Sequence, residues 1–354
     1  MNGDSIQPGA NGDRTQRICL IILTVIVVGF ALYFMRPVLL PLLFALFLYL
    51  CLTPLIDFQV NRVKLPYSVS LATTVLIGGI VVLLIIAIGA SSVSQMASDV
   101  NTYQTQLNLL VERISNLIPS EKLGGYQAKN YLRMSEGTIS EFISGAVFEF
   151  SSLISNSVFV VILTVFILIG RKQSKDDGLI GDLETHVQRY ISGTVLLSLA
   201  TGFLLAVALA ALGVRYAVVF GLFAFLLNFI PLIGPVAATL LPLPIVLLSP
   251  ELSTTAKLLA VIVPALIEFL MGQIVSPRVI GRSLSLHPVT VLLFLLFFQM
   301  IWGVGGAFMS TPIAAVVKIL FEHFEATRPL SQLLAGDLDA VLGRDRSKVL
   351  PEMY

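Results

Sequence analysis

Asn228-Phe229-Ile230-Pro231-Leu232-Ile233-Gly234-Pro235 interrupts the middle of an apolar run, Tyr216 to Leu248, that is otherwise long enough to lie in a membrane. In hydrocarbon each unsatisfied backbone group costs roughly several kcal/mol. Irregular backbone at membrane depth therefore persists only where protein covers it or where it lines a polar cavity. Broken helices of this kind are how transporters build binding sites.

Composition agrees with a membrane setting. The 354 residues are 56% hydrophobic and 12% charged, against about 25% charged in ordinary globular domains. A formal net charge of +1 gives no basis for a nucleic-acid or acidic macromolecular partner. Cys19 and Cys51 both sit inside apolar runs, where a reduced thiol packs as a small hydrophobe, so neither a disulfide nor a metal is expected. Residues Met1 to Gln16, rich in Gly, Asn and Asp, read as a disordered tail. The run that Arg17 opens lacks a small-residue cleavage site, which predicts a retained anchor.

About 20 apolar residues cross a hydrocarbon core of about 30 Å. Ile18 to Phe34, Pro37 to Ile56, Ser68 to Gly89, Ser152 to Gly170 and Tyr190 to Leu212 meet that criterion. Three less regular runs follow. They are the broken run, Lys257 to Val275 with Pro264 and Glu268 inside it, and Val289 to Leu320, interrupted at Gly303, Gly305 and Gly306. The predicted fold is all-α and polytopic, with about eight membrane segments, two of them broken or re-entrant.

A cytoplasmic N-terminus places Arg14, Arg17, Arg62, Lys64, Arg171, Lys172, Lys175 and Arg189 inside, as the positive-inside rule requires. Arg278 and Arg282 also belong inside, and Lys257 to Val275 supplies the single crossing that puts them there. The broken run then enters and leaves on the external side, as a hairpin with Pro231 to Pro235 at its tip. Val289 to Leu320 reads as a second hairpin, from the cytoplasmic side, with its tip near Trp302 to Gly306, so the two tips nearly meet at the midplane. Long kinked spans are the alternative, because Gly and Pro also permit bending and close packing in membrane helices.

From Val93, the positions Met96, Val100, Tyr103, Leu107, Leu110, Val111, Ile114 and Ile118 recur at helical spacing with polar residues between them. Pro119 to Gly125 turns the chain and Lys129 to Phe150 forms a weaker second helix. Ser91 to Phe150 is thus expected to be an extracytoplasmic amphipathic hairpin, serving either as a contact surface or lid or as a solvated connector.

Motifs for chemistry are missing. The sequence holds no GxxxxGK[ST] phosphate loop, no HExxH and no GxSxG. That argues against an enzyme and against a cofactor, and leaves gradients as the energy source. Inside the membrane the informative residue is Glu268, the sole carboxylate between Lys257 and Val275. Ionisable residues at such depth usually mark ion or substrate paths, so Glu268 is the candidate for ion coupling, with a helix-to-helix hydrogen bond as the plainer role. Gln273, Asn228 and Gln299 adjoin predicted breaks and either bind solute or join helices. Arg278, Arg282 and His287, framed by Pro277 and Pro288, form a cytoplasmic loop that either anchors at headgroups or gates an anion.

Four stretches in order carry a resemblance: Phe225 to Pro235, Gln273-Ile274-Val275-Ser276-Pro277-Arg278-Val279-Ile280-Gly281, Leu286-His287-Pro288, and Trp302-Gly303-Val304-Gly305-Gly306 running to Thr311-Pro312. In these the chain resembles the autoinducer-2 exporter family of bacterial membrane proteins, also described as predicted permeases. The likeness spans about Arg17 to Phe324 and includes Arg36-Pro37 and Leu52-Thr53-Pro54-Leu55. It implies export of a small signalling molecule or related metabolite, and similar proteins are described as sodium or lithium/proton antiporters. Asp57-Phe58-Gln59-Val60-Asn61 dilutes a loop that is usually more basic, and Gly306 to Thr311 adds hydroxyls where the family run is more aliphatic.

The reading that joins these observations is a secondary transporter exporting a small polar solute, autoinducer-2 among the candidates, across a bacterial inner membrane. Asn228, Pro231, Gly234 and Pro235 would form one wall of the site, Gln273 and Glu268 another, and Gln299, Trp302 and Gly303 a third. A Na⁺ or Li⁺/H⁺ antiporter uses the same architecture, and a membrane scaffold is the reading from another class. The expected organisation is a tail (1–16), a first bundle (17–90), the external segment (91–150), a second bundle (151–324) and a cytoplasmic tail (325–354), in a homo-oligomer.

Overall fold

A computed structural model describes residues 10–117, 158–171, 179–279, 286–325 and 327–337. Every regular element among them is a helix. The first three are α1 (Ala10–Phe34), α2 (Arg36–Asn61) and α3 (Tyr67–Leu117). After α4 (Val158–Ile169) and α5 (Leu179–Ala211) come three short ones, α6 (Ala217–Leu227), α7 (Ile233–Leu240) and α8 (Leu243–Leu248). Next, α9 (Thr254–Leu270) passes through a π-helical turn, Met271–Val275, into α10 (Ser276–Val279). The last are α11 (Pro288–Trp302), α12 (Val304–His323) and α13 (Arg328–Ala335).

Five helical stretches among the described residues are long and apolar enough to cross a bilayer: Arg36–Asn61, Tyr67–Gly89, Glu184–Ala211, Thr254–Val279 and Val304–His323. Their outward faces stay apolar, with Leu83, Phe203 and Phe269 at 66%, 69% and 60% exposure. That is the surface a protein presents to lipid instead of water. Helix α1 begins at Ala10, ahead of Arg17, and lies against α2 and α11 with most of its large apolar side chains uncovered. Helix α3 continues unbroken past Gly89 to Leu117, 51 residues or about 75 Å. The expected turn at Pro119 to Gly125 and the helix Lys129 to Phe150 lie outside the described residues, as do Lys172, Lys175 and Arg282.

Both ends of the bundle are fixed by named contacts. At one end, Arg171 forms a two-pronged ion pair with Asp57 at 2.9 and 3.3 Å, and Tyr67 Oη donates to the Leu168 carbonyl at 2.6 Å. We call this the Asn61 end. Helix α5 starts near it, where Tyr49 Oη donates to Glu184 Oε1 at 2.8 Å, and its 33 residues carry it about 50 Å to the opposite, Arg36, end.

Helices α6 to α8 form the expected re-entrant hairpin. Arg215, just before α6, and Glu251, just after α8, meet at 2.9 Å across its mouth. An exposed pair of this kind adds little stability, but it proves that the chain enters and leaves at one end. The 11 residues of α6 reach only about 16 Å inward. One core of Leu205, Leu209, Ala217, Phe220, Ala224, Ala238, Val246 and Ala260 packs the hairpin against α5 and α9. Gly202 and Gly221 let α5 and α6 approach so closely that a Cβ on either would lie 2.5 Å from backbone or side chain of the other helix.

The second hairpin differs from the expectation of two tips meeting at the midplane. Its mouth is closed by α13, where the His287 N–H and Thr290 Oγ1 both donate to the Leu334 carbonyl at 3.0 Å. Its tip, however, lies at the far end of the bundle. Trp302 Nε1 donates to the Leu32 carbonyl at 2.9 Å, and a Cβ on Gly303 would sit 3.7 Å from Arg36 Nη2. The reason is length, because the 20 residues of α12 cover about 30 Å, a full bilayer core. The first tip therefore meets the flank of a transmembrane hairpin. Single cysteines placed at Met35 and Thr255, in a background lacking Cys19 and Cys51, should react with an impermeant maleimide from the same side of the membrane. A cysteine at Val63 should react only from the other side.

Candidate functional site

Helix α5 supplies the frame of the site. Its buried residues Val187, Ile191, Thr194, Ser198, Thr201, Leu205 and Leu209 are spaced three or four apart and so share one face. This stripe is apolar at both ends and carries hydroxyls at its centre. Thr201 Oγ1 donates to the Leu197 carbonyl at 2.9 Å, whereas Ser198 Oγ accepts from Asn228 Nδ2 at 2.9 Å. Asn228 caps α6, so the residue that ends the first arm also ties the hairpin tip to α5.

Beyond Asn228 the backbone makes a tight reversal. Leu232 has φ 66° and ψ −49°, and the Ile233 N–H donates to the Pro231 carbonyl at 2.7 Å. These define a γ-turn of the rare, strained sense. A non-glycine residue held there costs about 1–3 kcal/mol and survives only where its surroundings over-determine it. Those surroundings are aromatic. The Phe229 ring stacks on Phe308 at 4.5 Å and meets Phe47 and Phe225 edge-on at 5.6 and 5.5 Å. Ile230 joins Leu295 and Ala307 in a cluster on the second hairpin. Gly234 is buried directly against the Leu227 carbonyl, with no room for a Cβ.

Glu268 occupies the buried stripe Ala260, Pro264, Glu268, Met271 of α9 and its π turn. It is 6% exposed, and its Oε1 has no hydrogen-bond partner. Leu252 packs beside Gly213, which sets the starts of α9 and of the hairpin at one level. Counting about 1.5 Å per residue from there puts Glu268 at roughly the depth of Ser198. The Met271 N–H is shared between the Glu268 and Ile267 carbonyls, and the Ser276 N–H then reaches back to Met271. This π turn re-aims the residues after Glu268, a device frequent at functional sites.

The predicted residues thus separate into groups. Asn228, Pro231, Gly234 and Pro235 are together at the tip, and Glu268 is buried at similar depth. Gln273 and Gln299 are exposed on the outside of the bundle. Trp302 is buried at the far tip and bonded to α1, and Gly303, with φ 68°, makes the turn between α11 and α12. Arg278 is exposed near the Asn61 end, and His287 caps α11, its Nδ1 accepting from the Val289 N–H at 3.3 Å.

Two features escaped the sequence reading. One is the hydroxyl row Thr194, Ser198 and Thr201, whose signal was its i, i+4, i+7 spacing within an apolar span. The other is the chain of paired groups at the Asn61 end: Asp57 with Arg171, and Glu184 with Tyr49. Asp57, expected only to dilute a basic loop, is the partner of Arg171.

Five helices of membrane-spanning length, with one short hairpin braced against a longer one, define a multi-pass membrane protein. Residues 20–326 match the model of the AI-2E family transporters, and the chain belongs to that family. It is 28% identical to AI-2 transport protein TqsA of Escherichia coli (strain K12), over 90% of this chain and 94% of that one. YhhT of the same organism is 25% identical over 97% and 98%. YrrI of Bacillus subtilis (strain 168) is 32% identical over 40% of each.

Gly234→Ala should test whether the tip depends on close backbone approach. Its Cβ must displace the Leu227 carbonyl, an overpacking cost of about 1–3 kcal/mol, so the melting temperature in detergent should fall. Gly272→Ala, where a Cβ meets nothing within 4 Å, should leave it unchanged or raised.

Proposed function

We propose that this protein is a secondary transporter that exports a small polar organic solute by alternating access. The observation that carries the reading is the re-entrant tip itself. It is tied to α5 through Asn228 and Ser198, stacked through Phe229 on Phe308, and lies at about the depth of the buried Glu268, whose Oε1 has no hydrogen-bond partner. Strained backbone and uncompensated polar atoms at this depth are tolerated where they face a solute or a coupling ion. Asn228, Pro231, Gly234 and Pro235 shape the site, and Glu268 carries the coupling. Autoinducer-2 is the substrate we favour, supported by the name of the relative TqsA.

In this reading the protein sits in the bacterial inner membrane with both termini cytoplasmic. Support comes from the exposed Arg62, Lys64 and Arg278, which gather at the Asn61 end and make it the cytoplasmic one. Residues 17–90 and 151–324 form the membrane bundle and 91–150 an extracytoplasmic segment. Copies associate as a homo-oligomer, which gives the exposed Gln273 and Gln299 a polar partner in place of hydrocarbon.

The buried carboxyl also supports a second reading, exchange of Na⁺ or Li⁺ for H⁺. Liposomes holding the purified protein separate the two. With Na⁺ or Li⁺ gradients imposed, the exporter reading expects no ion-driven proton movement from the parent, together with efflux of labelled autoinducer-2 that Glu268→Gln reduces by at least about tenfold, a loss of 1.4 kcal/mol. Cation-driven proton movement lost in Glu268→Gln would replace the exporter with the antiporter. Absence of both fluxes would leave neither standing.

A further inference from the structure

Helix α13 ties the two arms of the second hairpin together. At its start, Thr327 Oγ1 donates to the Phe321 carbonyl at 3.0 Å, in the last turn of α12. Toward its other end, the Leu334 carbonyl accepts from His287 and Thr290 at the start of α11, and a Cβ on Gly336 would lie 2.5 Å from the His287 ring. These contacts lay α13 across the mouth, and they also fix its depth. Counted from the far tip, the 15 residues of α11 rise about 22 Å and the 20 residues of α12 about 30 Å. A hydrocarbon core is itself about 30 Å thick. With the tip at the Arg36 boundary, α13 slants from the opposite boundary into the outer part of the acyl chains.

Its side chains suit that place better than they suit water. Ser331 is turned inward and buried. Leu330 and Leu333 share a different face and are 47% and 48% exposed. At about 3.6 residues per turn, Arg328 lies across the helix from them, and it too is exposed. An apolar face opposite a polar one is the pattern of a helix lying in the membrane interface, its apolar side sunk about 5–10 Å past the headgroups. The leucines also extend a surface that the bundle already turns to lipid, since Val289, next to Thr290, and Leu293, one turn further along α11, are exposed. Nearby charges are mixed, with Lys318 and Arg328 against Glu322, Glu325 and Asp337. Anionic headgroups therefore gain no advantage here.

We propose that α13 is an interfacial helix whose Leu330 and Leu333 seat among the acyl chains of the leaflet at the Asn61 end, so that the bilayer itself holds the mouth of the second hairpin closed. The driving force is burial of apolar surface and needs no particular headgroup. Through the Leu334 carbonyl, whatever lifts α13 from the bilayer also frees the first turn of α11. The proposal goes beyond the transporter reading and stands independently of it.

Spin-label accessibility in liposomes tests the seating. Leu330→Cys, Leu333→Cys and Arg328→Cys are made singly in a background lacking Cys19 and Cys51, labelled with a nitroxide, and reconstituted in phosphatidylcholine with and without added phosphatidylglycerol. Oxygen, which concentrates among acyl chains, should relax the labels at the two leucine positions, and a water-soluble nickel chelate should lose its effect on them. The label at the arginine position should show the reverse, and neither pattern should change with phosphatidylglycerol. Nickel relaxation at the leucine positions would put that face in water, spin–spin broadening that vanishes on dilution with unlabelled protein would put a second copy there, and a need for phosphatidylglycerol would make the contact electrostatic. Each of these overturns the seating. The hold on the mouth is read by hydrogen exchange of the His287 amide, which should speed about tenfold when Leu330→Ser and Leu333→Ser are combined and stay slow with Leu330→Met and Leu333→Met. Unchanged exchange in the serine pair would overturn that hold. Neither measurement reads flux, so their failure leaves the transporter reading standing, and a failure of transport leaves α13 in the bilayer.

Discussion

A polypeptide that leaves helical geometry halfway across a bilayer must find partners for its backbone inside the protein, because lipid offers none. That constraint organises this molecule. The reversal at Pro231 to Gly234 meets it in two ways. The Ile233 and Gly234 N–H groups turn back onto the Pro231 and Ile230 carbonyls at 2.7 and 2.9 Å. Phe229 and Ile230 are meanwhile covered by α2, α11 and α12. Most of the bundle can be understood as the cover this tip requires.

The two hairpins solve different problems with the same residues. In the first, α6 is short and its glycines bring backbones into contact, Gly221 against α5 and Gly234 against the Leu227 carbonyl. Close approach of this type is how membrane helices associate when no hydrophobic effect separates them from lipid. In the second, Gly306 packs against the Phe298 carbonyl in the same manner, but the arms are long enough to cross the membrane. One hairpin is therefore a plug reaching the midplane and the other a wall beside it. Aromatic stacking between Phe229 and Phe308 joins plug to wall and contributes about 0.5–1.5 kcal/mol beyond area burial.

Polar groups are distributed by depth. Charged ones lie at the two ends of the bundle, with Arg171 paired to Asp57 in two-pronged geometry and Glu184 bonded by Tyr49 at the Asn61 end, and Arg215 paired to Glu251 at the other. Hydroxyls and one amide occupy the centre, where Ser198 and Asn228 satisfy each other. Glu268 stands apart as a buried carboxyl with an unpartnered oxygen.

Much of this was legible in the residue order. Apolar run lengths identified the helices, Pro231 and Gly234 located the break, and the Arg and Lys clusters made a hairpin one of two readings of Tyr216 to Leu248, beside a long kinked span. Each of these is a local property, because run length, missing amide donors and charge act within a few turns of chain. Side-chain partnership is not local. Nothing near Asp57 announces Arg171, nothing near Ser198 announces Asn228, and the spacing that aligns Thr194 with Ser198 does not tell which helix covers them. Gln273 and Gln299 looked equivalent to Asn228 because each adjoins a break, yet helix rotation turned both outward. The sequence by itself determined that the chain crosses the membrane as helices and where one of them must fail. Only the tertiary structure decided which polar groups share the space so created, because the depth of a hairpin and the face a helix buries depend on the packing of segments far apart in the chain.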